Sequence, residues 1–136
     1  MTWLQDIAWQ LHKSPLSIGT ATTTSANRTI YIQSRPPTTG SCIVLYPYSG
    51  LGPGWSNDRK RITNPRLNVL VVSTANDGGF QKAQDIITCL DHITNSTLGY
   101  SSSAAYKSVV ALQEPMWMGN DENGNGNFTV NFQVVY

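Results

Sequence analysis

The side chains whose types and spacing could bind an ion lie just before the last strand-like segment. Their order is that of oxygen ligands at alternate positions followed by a glycine: Asp121, Asn123, Asn125 and Gly126. The first half of a calcium-binding loop has this spacing, but its twelfth position should be a bidentate carboxylate and is here Phe132. A hairpin turn explains the same residues more simply. We therefore predict no metal and keep a small calcium- or ligand-binding module as the alternative.

The concentrated charges of the chain are basic and lie near its middle. They follow Trp55 and Asp58 and comprise Arg59, Lys60, Arg61 and Arg66. Most of them fall in a loop of about 16 residues, 49–64, which we expect to be mobile until a contact orders it. A solvated loop explains the cluster, and so does a protruding loop that meets an acidic neighbour or phosphate in a pore. These residues are candidate interface residues, together with Asp121, Glu122, Asn123 and Asn125.

The rest of the chain has no arrangement typical of a catalytic site. His12 and His92 stand singly, and no Gly-x-Ser-x-Gly sequence marks a hydrolase nucleophile. Cys42 and Cys89 lie in apolar runs, where buried thiols are the simplest interpretation and a disulfide stays open. The sequence therefore predicts a protein that is not an enzyme, needs no cofactor, and acts through contacts with other proteins.

Length and composition limit the architecture and the class of partner. The chain has 136 residues, of which 12% are charged, and its net charge is +1. This length predicts a single domain over residues 1–136. Without a basic excess, a dedicated nucleic-acid binder is disfavoured, whereas sparse charge suits a surface buried against other protein subunits.

Neither a secretion signal nor a membrane span is predicted. The N-terminus lacks a basic segment, and Asp6 interrupts its apolar residues. No apolar run approaches the ~20 residues that cross a bilayer. We therefore expect the protein to be made and assembled in a cytoplasm, without membrane contact.

Hydrophobic periodicity predicts two helices and five strands. The first helix has an apolar stripe at helical spacing: Trp3, Leu4, Ile7, Ala8 and Leu11. The second has Asp77 as its N-cap and an apolar face of Phe80, Ala83, Ile87, Leu90 and Ile93 or Thr94. Strands are expected at 29–34, 42–48, 67–72, 104–113 and 128–136, and a loop is expected at 95–103.

These elements predict an α+β fold in the order α-β-β-β-α-β-β, with both helices on a mixed, largely antiparallel sheet of about five strands. The run 67–72 is apolar on both faces and suits a central strand. The last two strands form a hairpin whose Phe128, Phe132 and Val134 are expected in the core. Two helices cannot cover both faces of such a sheet, so an uncovered face or edge should meet a partner.

The residues around the C-terminal turn follow the pattern Pro-x3-Gly-x-Asp-Glu-x-Gly from Pro115 to Gly124, and Asn131-Phe132 follows in the strand. This ending resembles that of the bacteriophage tail terminator or minor capsid (tail-completion) proteins of long-tailed phages. The order and spacing of the predicted elements extend the resemblance over most of the chain.

The resemblance implies a structural protein of the virion. Such a protein forms a ring, a hexamer in relatives, that caps the tail tube, stops tube polymerisation and provides the head–tail joining surface. The implied partners are further copies of the chain, the major tail tube protein and a head-completion or connector protein. Genomic DNA would pass through the lumen without specific binding, and the implied location is the head–tail junction. A head-completion or stopper protein of the connector is the alternative.

Overall fold

A computed structural model of the chain describes residues 3–13, 19, 29–33, 41–48, 54–55, 61–62, 64–74, 76–97, 105–120 and 124–136. The helices in these ranges are α1 (Trp3–Lys13) and α2 (Asn76–Leu90). The strands are β1 (Ile30–Ile32), β2 (Cys42–Tyr48), β3 (Gly54–Trp55), β4 (Arg61–Ile62), β5 (Arg66–Ser73), β6 (Ile93–Thr97), β7 (Ala105–Ala111), β8 (Met116–Asn120) and β9 (Gly126–Val135).

Seven strands form one sheet in the order β1-β2-β5-β9-β7-β6, with β8 also paired to β9. Within the described chain, the pairings in this sheet are antiparallel except that of β1 with β2. The predicted α+β class and mixed, largely antiparallel sheet are therefore confirmed. The sheet has more strands than the five expected, because β6 and β8 join it, and β3 and β4 form a separate two-stranded ribbon.

Strand β5 lies at the centre of the sheet, between β2 and β9, as its apolar sequence predicts. Val71 is 2% exposed and Val72 is 1% exposed. Since consecutive residues of a strand point to opposite faces, burial of both means that the sheet is covered on both sides at this point.

Both helices pack on the same face of the sheet and share one core cluster with it. Helix α1 contributes the predicted stripe of Leu4, Ile7, Ala8 and Leu11. Helix α2 contributes Ala83, Ile86 and Leu90. The helices therefore cover one face of the sheet, where the main core lies. A second, smaller buried cluster lies on the opposite face.

The start and the apolar face of α2 differ from the prediction. The helix begins at Asn76, so Asp77 lies in its first turn rather than at the N-cap. Of the predicted apolar face, Ala83 and Leu90 are buried and Ile87 packs partly buried against the core, whereas Ile86 is buried as well and Phe80 is 46% exposed. Phe80 therefore lies at the border of the core, where it packs edge-on against Phe128 with ring centroids 6.1 Å apart.

The end of α2 also differs, because the chain reverses sooner than the periodicity predicts. His92 adopts a left-handed backbone with φ of 60°, and Ile93 then pairs with Val109 as the first residue of β6. Asp91 supports this turn, since its Oδ1 accepts a hydrogen bond from the backbone N–H of Ala111 at 2.8 Å. The assignment of Ile93 or Thr94 to the helix and of 95–97 to a loop is therefore wrong.

The predicted C-terminal hairpin is present, but its first strand is broken in two. Strands β7 and β8 pair in turn along the same edge of β9, with β7 opposite 132–135 and β8 opposite 126–129. Pro115 lies in the break, where its missing N–H is tolerated. Phe128, Phe132 and Val134 are buried, which confirms the core predicted for this strand.

Candidate interaction surface

The residues predicted to form an interface are only partly within the described chain. Trp55 and Arg61 are cross-strand partners in the β3–β4 ribbon, and Arg66 begins β5. Asn125 is 5% exposed and directly precedes β9. The others lie outside the described residues: Asp58, Arg59, Lys60, Asp121, Glu122 and Asn123. Of 49–64, whose mobility was predicted, most residues are undescribed, and so are Asp121 and Asn123 of the calcium-type pattern.

The sheet face opposite the helices carries a row of amide side chains across β5 and β9. Asn68 Nδ2 donates hydrogen bonds to Thr129 Oγ1 at 2.5 Å and to Asn131 Oδ1 at 2.8 Å. Asn131 Nδ2 in turn donates to Gln113 Oε1 at 3.2 Å. Because each amide orients the next, this row presents a neutral polar surface in a fixed arrangement.

Arg66 extends this row at the end where β5 begins. Its Nε donates a hydrogen bond to Gln133 Oε1 at 3.3 Å. Gln133 Nε2 donates to the backbone oxygens of Asn64 and Pro65, each at 3.2 Å. One of the predicted interface cations is therefore held in place by a side chain of the same sheet face.

The other half of this sheet face is apolar. Cys42, Val44 and Val72 form a second buried cluster, against which the half-buried Tyr31, Tyr46 and Leu70 pack. Neither Cys42 nor Cys89 is in a disulfide. The face thus changes from apolar on β1, β2 and β5 to amide-rich on β5 and β9.

The most exposed apolar residues of the described chain lie along β8. Met116 is 50% exposed, Trp117 is 57% exposed and Met118 is 59% exposed. Phe80, 46% exposed, lies close by, since it packs against Phe128 and Phe128 pairs with Trp117. Leu112, also 46% exposed, donates its backbone N–H to Asn131 O, two residues along β9 from Thr129, the partner of Met116. We call the five residues the β8 patch. An exposed apolar patch with an aromatic residue and methionines is typical of a protein–protein interface.

Strand β8 lies at an edge among the described strands. It pairs only with β9, and no other described strand pairs with its second side. The pairing shifts register between Trp117 and Gly119, and Gly119 has φ of 93°. Such an irregularity increases the local twist and redirects the side chains around it.

The sequence analysis missed the β8 patch, although a signal was present. Met116, Trp117 and Met118 are three large apolar residues in a row, between Pro115 and Gly119. In a strand, alternate residues point to opposite faces, so a single core cannot bury all three. Such a run marks an edge strand that is apolar on both faces.

One buried carboxylate ties α1 to the sheet. Asp6 is 2% exposed, and its Oδ2 accepts a hydrogen bond from the hydroxyl of Tyr106 on β7 at 2.7 Å. Burial, and then the hydrogen bond to Asp6, raise the pKa of the Tyr106 hydroxyl well above its ordinary value. This pair lies beneath the helix and acts in folding rather than in contacts with partners.

Neither a metal site nor a membrane-spanning helix is found in the part of the chain that the structure describes. Its His, Cys, Asp and Glu side chains form no group of three or more that could hold a metal ion. Neither helix is long and apolar enough to cross a membrane. Two features of the described surface suit contact with a partner: the amide row, which is neutral and polar, and the β8 patch, which is apolar.

Comparison with known proteins gives a family and a fold. A family model described as bacteriophage tail terminator protein matches residues 5–136. A chain from the virion of a native gene transfer agent particle aligns with a TM-score of 0.70 and 12% identity, over 98% of this chain and 92% of that chain, which shows a common fold. A second solved structure has a TM-score of 0.48 and 15% identity over 98% of this chain and 94% of its own, too weak a likeness to support an argument. No curated protein sequence matches significantly.

Proposed function

The chain belongs to the bacteriophage tail terminator protein family, and from that membership we propose that it forms a ring on the end of the tail tube. The ring stops tube polymerisation and presents the surface to which the head is joined. The observation that carries this proposal is the family match over residues 5–136. The protein acts by binding other proteins, and no catalytic or cofactor-dependent step is part of the proposal.

The proposed ring is a hexamer of identical subunits. A ring needs a head-to-tail contact between two unlike surfaces of the same chain, and that contact must close after a fixed rotation. A ring that ends a tube and receives a head also needs two different axial surfaces. The exposed β8 patch and the neutral amide row support the proposal, because they are unlike surfaces on one fold.

The proposed axial partners are the major tail tube protein on one side and a head-completion or connector protein on the other. Genomic DNA passes through the lumen without being bound specifically. The net charge of +1 supports this part of the proposal, because a protein that held DNA tightly would neutralise several phosphates with Lys and Arg.

We place the protein at the head–tail junction of the virion, after assembly in the host cytoplasm. Electron microscopy of particles that carry an epitope-tagged copy, labelled with gold, tests this location. Label at the junction is expected, and label at the distal tail tip would contradict the proposal.

A second measurement separates a tail terminator from a stopper of the connector. The purified chain is mixed either with tail tubes or with filled heads that lack tails, and each mixture is sedimented. A tail terminator should sediment with the tubes. Sedimentation with the heads alone would assign the chain to the connector instead.

A further inference from the structure

Arg66 is a partly buried cation for which the described chain supplies no anion. It begins β5 and is in register with Tyr48 on β2 and Gln133 on β9, so strands flank it on both sides. Its Nε donates a hydrogen bond to Gln133 Oε1 at 3.3 Å. Among the described residues, no carboxylate forms an ion pair with its guanidinium, and its two Nη groups donate no hydrogen bond. The two Nη groups therefore lack an acceptor within this part of the chain.

The orientation of Arg66 is set by a side chain that is itself held in place. Gln133 Nε2 donates to the backbone oxygens of Asn64 and Pro65, each at 3.2 Å, so its Oε1 is turned toward Arg66. An arginine that is already oriented loses less conformational freedom when it binds a partner. Gln133 is therefore the positioning residue of Arg66.

Partial burial makes the missing anion costly. A charge removed from water is stabilised when an opposite charge and hydrogen bonds replace the lost solvation. A carboxylate suits arginine, because its two oxygens match two parallel N–H groups of the planar guanidinium. The row beside Arg66 supplies no charge, since it consists of neutral amides such as Asn68 and Asn131 that hydrogen-bond one another. The anion has to come from another molecule.

We propose that Arg66 binds a carboxylate of a neighbouring protein subunit in the virion, and that the amide row forms the neutral part of the same contact. This inference rests on the proposed function, which surrounds the chain with protein partners, and it names the chemistry of one contact. A protein carboxylate is favoured over a phosphate of the genome, because binding to a DNA backbone uses several Lys and Arg side chains. Arg66 is the one cation that the described chain places in this row.

Competition between two versions of the chain during assembly tests this contact. Wild type and an epitope-tagged variant are expressed together in cells that lack the native gene, and their ratio in purified particles is compared with that in the lysate. Arg66→Gln removes the charge and should lower incorporation about tenfold or more, as expected for unpairing a charge in an interface. Lys107→Gln is the matched control, since it removes the same charge from an exposed position on β7 and should leave incorporation unchanged. Equal incorporation of the two variants would overturn the proposal.

Unfolding of the free chain shows whether the effect arises from folding. Arg66→Gln should keep the thermal unfolding midpoint of wild type, because the charge that it removes has no partner within the described chain. Arg66→Lys keeps the charge but loses the planar fork, and its incorporation should be intermediate. A lowered midpoint together with equal defects in the two variants would assign Arg66 a structural role and overturn the proposal.

Gln133→Met tests the positioning role. This variant should lower incorporation when Arg66 is present and should have little further effect when combined with Arg66→Gln, because both changes then act on one contact. Equal effects in the two backgrounds would contradict the positioning of Arg66 by Gln133.

Tails assembled without heads distinguish a protein carboxylate from a phosphate of the genome, because such tails contain no DNA. The defect of Arg66→Gln should persist in them, and a defect confined to DNA-filled particles would overturn the carboxylate. Wild-type chain missing from these tails but present in heads that lack tails would overturn the tail terminator function. The ratio of variant to wild type in those heads would then still decide the role of Arg66.

Discussion

Asp6 is a buried carboxylate of the described core, and its hydrogen-bond partner, Tyr106, is buried as well. Its Oδ2 is bonded to the Tyr106 hydroxyl, while its Oδ1 has no hydrogen-bond partner among the described residues. The pair joins α1 to β7 across the core, where the alternative would be a buried carboxylate with no donor. Single-residue changes here should therefore affect folding and leave the interaction surface unchanged.

Replacement of Tyr106 by Phe should lower the free energy of unfolding by about 1–3 kcal/mol at neutral pH, because Asp6 loses its buried donor. Tyr136→Phe is the control, since it removes a neighbouring hydroxyl, 5.4 Å away between ring centroids, and keeps the bond to Asp6. Urea unfolding of the three proteins measures the difference. Equal stabilities for the two variants would contradict the role given to this hydrogen bond.

The same hydroxyl predicts a dependence of stability on alkaline pH. The folded state raises the pKa of Tyr106 above its ordinary value of about 10. As pH rises through about 10, the unfolded chain releases this proton and the folded chain keeps it, so the unfolded state binds fewer protons and stability falls. Below that pH the contribution is fully present. The fall should be smaller in Tyr106→Phe than in wild type, and an identical pH profile would contradict this account.

Two adjacent glycines of α2 provide a test of packing. A Cβ on Gly79 would lie 2.7 Å from Cε2 of the buried Phe128 and 2.9 Å from the Cβ of Ser73. Among the described residues, a Cβ on Gly78 would meet only Ser73 Oγ, at 3.7 Å. Gly79→Ala should therefore destabilise the protein by about 1–3 kcal/mol through overpacking. Gly78→Ala should be neutral or stabilise it by up to ~1 kcal/mol, because Ala favours the helix. Thermal unfolding compares the two, and the opposite order would contradict the close contact of α2 with β9.

At the scale of elements, the sequence predicts what periodicity controls. The stripe of α1, the limits of β2 and the central place of β5 follow from apolar spacing alone. Strand β6 could not be predicted in this way, because it depends on the left-handed turn at His92 and on pairing with a distant strand. Phe80 was predicted to be buried but is 46% exposed, because spacing along a helix does not show how much of a side chain the neighbouring strand covers.

The candidate surface is harder to predict than the core for a related reason. Burial leaves a periodic pattern in the sequence, whereas an exposed patch is recognised by its departure from one. The run of Met116, Trp117 and Met118 is such a departure, and it becomes informative once β8 is seen as an edge strand. The basic cluster was visible as charge, but the backbone pairing of Arg61 with Trp55 in a short ribbon required the structure.

Strand β9 should be the element most sensitive to truncation, since it pairs with β5, β7 and β8. Phe132 is 0% exposed and lies between β5 and β7. Phe132→Ala should cost about 3–5 kcal/mol, because it leaves a cavity in the core. Asp121→Ala, a change in the segment that precedes β9 in the sequence, should cost far less. Chemical denaturation of both variants gives the answer, and equal, small losses would mean that this strand does not support the core.

For the whole molecule, the distribution of polar groups suits a protein whose surface is in contact with other subunits. Only 12% of the residues are charged, and the described sheet face outside the main core carries a row of amide side chains. Such surfaces lose little solvation when a neighbour covers them. The family is that of tail terminator proteins, and in the proposed ring at the end of a tail tube such contacts join the subunits and their partners.

The length of tails is the measurement that tests this account most directly. The gene for the chain is deleted from the virus or particle that encodes it, and the tails are measured by negative-stain electron microscopy, with the restored gene as control. We expect tails or tubes of widely varying length, many longer than wild type, together with heads that carry no tail. Joined tails of wild-type length in the absence of this chain would contradict the proposed function.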